Sequence, residues 1–118
     1  MTNNKSENII AQKSYDFALK AIKIYKTLIT SNEFIISKQF LKSATSIGAN
    51  VEEAIGGQSK KDFIAKLSIS YKEARETHYW IRLLKDSSSI QSEIADDLLV
   101  NCEEIIKILT AILKSSKK

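Results

Sequence analysis

The chain has 118 residues, 43% hydrophobic and 27% charged, with a net charge of +4, three glycines and no proline. That length suits a single domain over residues 1–118, and the scarcity of breakers favours long helices over a sheet. No apolar run reaches the ~20 residues of a membrane span, the polar start MTNNKSEN has no signal-peptide pattern, and the lone Cys102 can form no internal disulfide, so a cytoplasmic location is expected.

Residues 1–5 read as frayed. A helix is predicted over Glu7–Thr30, where Ile10, Ser14, Phe17, Ala21, Ile24 and Leu28 form one stripe. Ala18, Ile22, Tyr25 and Ile29 widen it, as suits a helix with two neighbours. Lys20, Lys23 and Lys26 sit at intervals of three. They read as a solvated face or as a phosphate-tracking surface.

The second helix is predicted over Lys38–Ile55, capped by Ser37. Its stripe is Phe40, Ala44, Ile47, Val51 and Ile55, with Leu41 and the small Gly48 beside it. Gly56 or Gly57 can take the left-handed conformation that closes a helix. Ser59 then stands as N-cap, with Asp62 three residues on completing a capping box. A third helix follows over Lys60–Lys85, with Phe63, Leu67, Ser70, Ala74, Thr77, Ile81 and Leu84 as a heptad-like seam. So short a link makes the two helices antiparallel neighbours.

Asp86–Ser89 is a polar break. A fourth helix is predicted over Ile90–Lys114, capped by Ser89 or Ser92, with Ile94, Leu98, Ile105, Ile108 and Ile112 as core and Leu99, Ile106, Leu109 and Leu113 alongside. Residues 115–118 should fray. The fold expected is all-α, an antiparallel up-down four-helix bundle.

The segment Ser43–Leu84, SATSIGANVEEAIGGQSKKDFIAKLSISYKEARETHYWIRLL, resembles the central signature of the 23S ribosomal RNA intervening-sequence proteins. The matching marks are Ser46-Ile47, Asn50, Glu53, the turn after Ile55, Ser59-Lys60-Lys61 with Phe63, and Glu73 through Glu76. The resemblance extends more weakly over nearly the whole chain. It implies an antiparallel four-helix bundle assembled into a five-fold ring. Relatives include the accessory variability protein of diversity-generating retroelements, which binds nucleic acid and a reverse transcriptase. No settled activity comes with the resemblance. Lys42-Ser43 stands where the family often has paired arginines, so an arginine-based RNA contact is not carried over there.

The residues point to no chemistry. A di-iron site needs Glu-x-x-His on two helices, and His78 is the only histidine. Neither a metal site, a cofactor nor a catalytic residue is expected. Cys102 reads as a small buried apolar residue. Asn50 and Glu53 share a helix face. They read either as a polar site for a ligand or RNA, or as an internal network, with Glu53 paired to Arg75 or a lysine and Asn50 bonded to a neighbouring helix. Helix 3 carries a second apolar group. At 100° per residue from Phe63, Leu83, Ile69 and Trp80 fall near about 200°, 240° and 260°, and Tyr79 near about 160°. Pointing away from the seam, these four are a candidate subunit interface.

Charge is unevenly spread. Six acids and no Lys or Arg lie between Asp86 and Glu104, while Lys60–Lys85 holds seven basic residues and three acids. Such a chain can dock on itself, on another copy or on a polyanion. The expected function is that of a non-enzymatic homo-oligomeric scaffold, a pentamer by resemblance. Its partners would be RNA, with Lys20, Lys23, Lys26, Lys60 and Lys61 as candidate contacts, or a protein that handles nucleic acid. The alternative is an interaction module with protein partners only. No membrane partner is expected.

Overall fold

The computed structural model describes residues 5–117. Four helices fill that span: α1 Lys5–Thr30, α2 Ile35–Ile55, α3 Lys60–Asp86 and α4 Ser92–Ser116. They run up and down as an antiparallel bundle 44 × 19 × 18 Å. α1 packs on α2, α2 on α3, α3 on α4, and α4 returns to α1, the last being the sparsest of the four seams. Of the ends expected to fray, residues 1–4 and 118 lie outside the described residues. Lys5, Ser115 and Ser116 are helical.

The core follows the predicted seams closely in three helices. All seven seam residues of α3, Phe63 through Leu84, are buried. In α2 the buried line is Phe40, Ala44, Ile47 and Val51, continued by Ala54 with Ile55 partly open. α1 buries Ile10, Ser14, Phe17, Ala21 and Leu28, with Ile24 packed beside them. α4 departs from expectation. Its buried line runs through Ala95, Leu98, Cys102, Ile105, Leu109 and Leu113, and Ile94 is exposed. The inward face is therefore marked by two small residues, Ala95 and Cys102. The larger Ile94, Ile108 and Ile112 stand to one side.

The helix ends correct the sequence in several places. α2 starts three residues earlier than expected, and Ser37 is not its cap. Glu33 serves instead: its two carboxylate oxygens accept the N–H groups of Ile36 and Ser37, both at 2.8 Å. One carboxylate thus satisfies two of the orphan donors of the first turn. At α4 neither Ser89 nor Ser92 caps. The N-cap is Gln91, extended and without a side-chain bond, and Ser92 is the first helical residue. At α3 Ser59 caps as expected, accepting the Asp62 N–H at 3.0 Å.

The left-handed positions are not the glycines. They are Asn32 (φ 66°) and Ser88 (φ 60°). Each closes a helix by the same pair of bonds. Glu33 N–H reaches Leu28 O at 3.0 Å while Asn32 N–H reaches Ile29 O at 3.1 Å, and Ser89 N–H reaches Leu84 O at 2.9 Å while Ser88 N–H reaches Lys85 O at 3.0 Å. This is the Schellman closure, which leaves few carbonyls unsatisfied. Gly56 has ordinary φ (−80°). Gly57 is needed for space: a Cβ there would collide with the Asp62 carboxylate and meet Ala54 O at 3.1 Å.

Candidate functional site

Two seams carry different chemistry. Between α2 and α3 the polar contacts are mostly internal, with Lys66–Glu53 outside them. Ser70 Oγ donates to Ile47 O at 2.8 Å, and Thr77 Oγ1 lies 2.8 Å from Ser43 Oγ and 2.7 Å from its own helix's Glu73 O. Around α4 they are exposed and mostly ionic. Lys13 pairs with Glu104 at 2.8 Å, Lys20 with Asp97 at 2.9 Å, Lys85 with Asp96 at 2.7 Å, and His78 Nε2 with Glu103 at 2.8 Å. Four of the six acids between Asp86 and Glu104 are thus engaged within the chain. The charge polarity seen in the sequence fastens α4 to both its neighbours.

Of the expected Asn50–Glu53–Arg75 network only the lysine alternative for Glu53 forms. Asn50 Nδ2 donates to Ser46 O of its own helix at 2.9 Å. Glu53 pairs with Lys66 at 2.9 Å, which raises the Lys66 pKa through that hydrogen bond and the Glu53 charge. Arg75 is on the other flank of α3, toward α4. There it stands over the Tyr71 ring, 6.0 Å from its centroid, with Nη1 donating to Tyr71 Oη at 3.2 Å.

That flank holds a constellation that the sequence did not disclose. Arg75, Glu76, His78, Arg82, Glu103 and Ile106 line an open cleft of about 510 Å³ between α3 and α4. Arg82 Nε donates to His78 Nδ1 at 3.1 Å, so the neutral ring carries its proton on Nε2 and gives it to Glu103. Both ring nitrogens are therefore occupied. Arg82 also lies 5.6 Å from the centroid of Tyr79. The signal available in the sequence was the i, i+7 spacing of two arginines, each with a tyrosine three or four residues before it.

The second apolar group of α3 divides. Ile69 and Tyr79 are 42% and 47% exposed, whereas Trp80 and Leu83 are partly buried. Trp80 packs against the core, its Nε1 donating to Glu76 at 3.2 Å and its ring meeting Tyr79 edge-on at 5.1 Å. Ile69 and Trp80 lean toward the flank where Lys66 reaches α2, Leu83 stands beside Arg82 on the outward face, and Tyr79 touches both Trp80 and Arg82.

A second exposed apolar group lies on α1, where Tyr15, Leu19 and Ile22 are 60%, 51% and 37% exposed. Their i, i+4, i+7 spacing was legible, but it merged with the core stripe beside it. At about 140°, 180° and 120° from Ile10, they lean toward the flank where Ser14 meets Gly48 of α2.

The candidate lysines do not make one surface. Lys20 is held by Asp97 and, at 2.7 Å, by Asn101. Lys23 and Lys26 are exposed in the second half of α1. Lys60 and Lys61 start α3, which lies at the opposite end of an up-down bundle. Cys102 is buried and donates to Ala74 O at 3.3 Å; burial, then the charge of Glu103, pushes its thiol up to about 12. Among the described residues no three His, Cys, Asp or Glu side chains gather as a metal site would require, and no helix is long and apolar enough to cross a membrane.

Four antiparallel helices around one buried apolar core, with ionic clasps outside, define a protein of the four-helix-bundle class. The chain belongs to the 23S rRNA-intervening sequence protein family, whose profile matches residues 6–111. It is similar to a crystal structure from Bacteroides thetaiotaomicron VPI-5482, described as a protein with unknown function from the S23 ribosomal protein family. The two share 44% identity over 92% of this chain and 98% of that one, with a TM-score of 0.90. No curated protein matches.

Proposed function

We propose that this protein is a non-enzymatic scaffold that assembles with copies of itself and binds RNA, or a protein handling RNA, in the cytoplasm. The observation that carries the reading is the pair of apolar outer groups, Tyr15–Leu19–Ile22 on α1 and Ile69–Trp80–Leu83 on α3. These helices are diagonal in the bundle, so each copy offers two different faces. Head-to-tail contact between unlike faces generates rings or filaments. Both groups lean toward the α2 flank, so successive copies curve in one sense and can close. The resemblance implies five copies. The contact rests on apolar surface, because most acids of α4 are already paired within the chain.

The family's name points to ribosomal RNA, and the basic excess supplies the attraction. Repetition of a weakly basic surface in every copy adds affinity by avidity. An enzymatic role has little to draw on: the Cys102 thiol stays protonated at neutral pH, and His78 has no free ring nitrogen for a proton from substrate.

Binding of labelled ribosomal RNA across a salt series tests the reading. Affinity should fall steeply between 50 and 200 mM salt, as phosphate contacts require. Tight binding to a protein partner with no salt dependence would instead support a module that touches proteins alone. Trp80→Ala should weaken self-association by more than roughly 1 kcal/mol per interface while helical circular dichroism is kept. Unfolding by that substitution would place Trp80 in the bundle core.

A further inference from the structure

The two arginines of the chain, Arg75 and Arg82, stand on one face of α3, two helical turns or about 10 Å apart, in the cleft against α4. We infer that this cleft is where the protein grips single-stranded RNA, the guanidinium groups taking backbone phosphates and Tyr79 stacking a base. The inference rests on the RNA-binding reading above and gives it a site.

Three features support it. Arginine is the best partner for a carboxylate, yet among the described residues neither arginine has one within salt-bridge distance, although Glu76 and Glu103 line the same cleft. Those acids face other groups: Glu76 accepts from Trp80 Nε1, and Glu103 accepts from His78 Nε2. Each guanidinium is instead steadied by uncharged neighbours. Arg75 bonds Tyr71 Oη and Arg82 bonds His78 Nδ1, which leaves most of the five N–H donors of each fork for a ligand. Beside them Tyr79 leaves 47% of its surface open. Arginine forks with an exposed ring fit a single strand, whose bases are free to stack, better than a duplex. An acidic peptide could use the forks but not the ring. The cleft borders the Ile69–Trp80–Leu83 group, since Glu76 accepts from Trp80 Nε1 and the Tyr79 ring meets that of Trp80 at 5.1 Å.

The experiment is fluorescence anisotropy of a labelled single-stranded 12-mer RNA with the full chain, at 50 and 200 mM KCl. Wild type should prefer the single strand to a duplex of the same sequence. Arg75→Gln and Arg82→Gln should each weaken binding about tenfold and reduce the log–log salt slope by about one. Arg75→Lys and Arg82→Lys keep the charge but lose the fork, so they should hold the slope and recover only part of the affinity. Tyr79→Leu should abolish the preference for single strands. Thermal melts and sedimentation matching wild type exclude misfolding and altered assembly. Wild-type binding undiminished in the arginine variants overturns this site while leaving RNA binding in place, and Lys23→Gln with Lys26→Gln then becomes the next surface to test. Equal preference for duplex, or full competition by poly-glutamate, also overturns it. No RNA binding by wild type at 50 mM overturns the broader reading and this site with it.

Discussion

The α2–α3 seam and the α1–α4 seam join the same kinds of helices by opposite means. At α2–α3, Ala44, Ile47, Val51, Leu67 and Ala74 are buried beside hydroxyls bonded in place, Ser43, Ser70 and Thr77, with one exposed ion pair, Lys66–Glu53, at the rim. At α1–α4 the backbones meet more sparsely. The joint is finished by Lys13–Glu104 and Lys20–Asp97 over a crevice of about 230 Å³. Buried apolar contact persists in salt. Exposed ion pairs are weak and screened. The hairpin around Gly56-Gly57 is therefore the rigid half of the molecule, and α4 is the part held by adjustable clasps.

This contrast can be broken from its strong side first. Phe40→Ala, at a fully buried site on α2, should cost about 3–5 kcal/mol, read as a shift in the denaturant midpoint with unchanged slope. Thr77→Val keeps the shape but strips the hydroxyl that Ser43 faces, and should cost about 1–3 kcal/mol, the same in 0.05 and 1 M NaCl. Lys20→Met acts on the weak side. It should cost less than about 1 kcal/mol at low salt and nothing measurable in 1 M NaCl, and amide exchange in α4 should quicken before that in α2 or α3. Ser88→Gly should stabilise by up to about 1 kcal/mol, since it relieves a left-handed serine.

One acid-sensitive element sits at the hairpin's far end. Burial of Glu33 raises its pKa, but the hydrogen bonds from Ser37 and Ile36 prevail and hold it below the ordinary 4.5. Its folded pKa is depressed, so its contribution is present above about 4.5 and is lost as pH falls through the lowered value. The melting temperatures of wild type and Glu33→Gln should differ at pH 6 and converge as pH falls below that value.

The sequence disclosed most where size and hydropathy agree. In α3 every seam position was legible because the seam keeps a regular four-and-three spacing from Phe63 to Leu84, apart from the outer group of Ile69, Tyr79, Trp80 and Leu83. In α4 isoleucines and leucines occur on several faces, and the inward line passes through Ala95 and Cys102, whose small side chains give little hydropathic signal. Phase was lost there for that reason. Arg75 shows a different limit. Its angle around α3 follows from counting residues, but which flank of α3 receives α2 depends on the handedness of the bundle. Without that, Arg75 could be set beside Glu53 when it faces α4. The left-handed Asn32 and Ser88 were hidden because glycines were available to suggest themselves, and Gly57 turns out to serve the close approach of Asp62.

Self-association through two unlike apolar faces is the centre of this account, and sedimentation velocity of wild type and Leu19→Glu at micromolar concentration tests it most directly. Leu19 is 51% exposed on α1, so a charge there leaves the core untouched. Wild type should sediment as a discrete multiple of 13.3 kDa and the variant as a folded monomer. A wild-type species of 13.3 kDa, or a variant that assembles as wild type does, would contradict it.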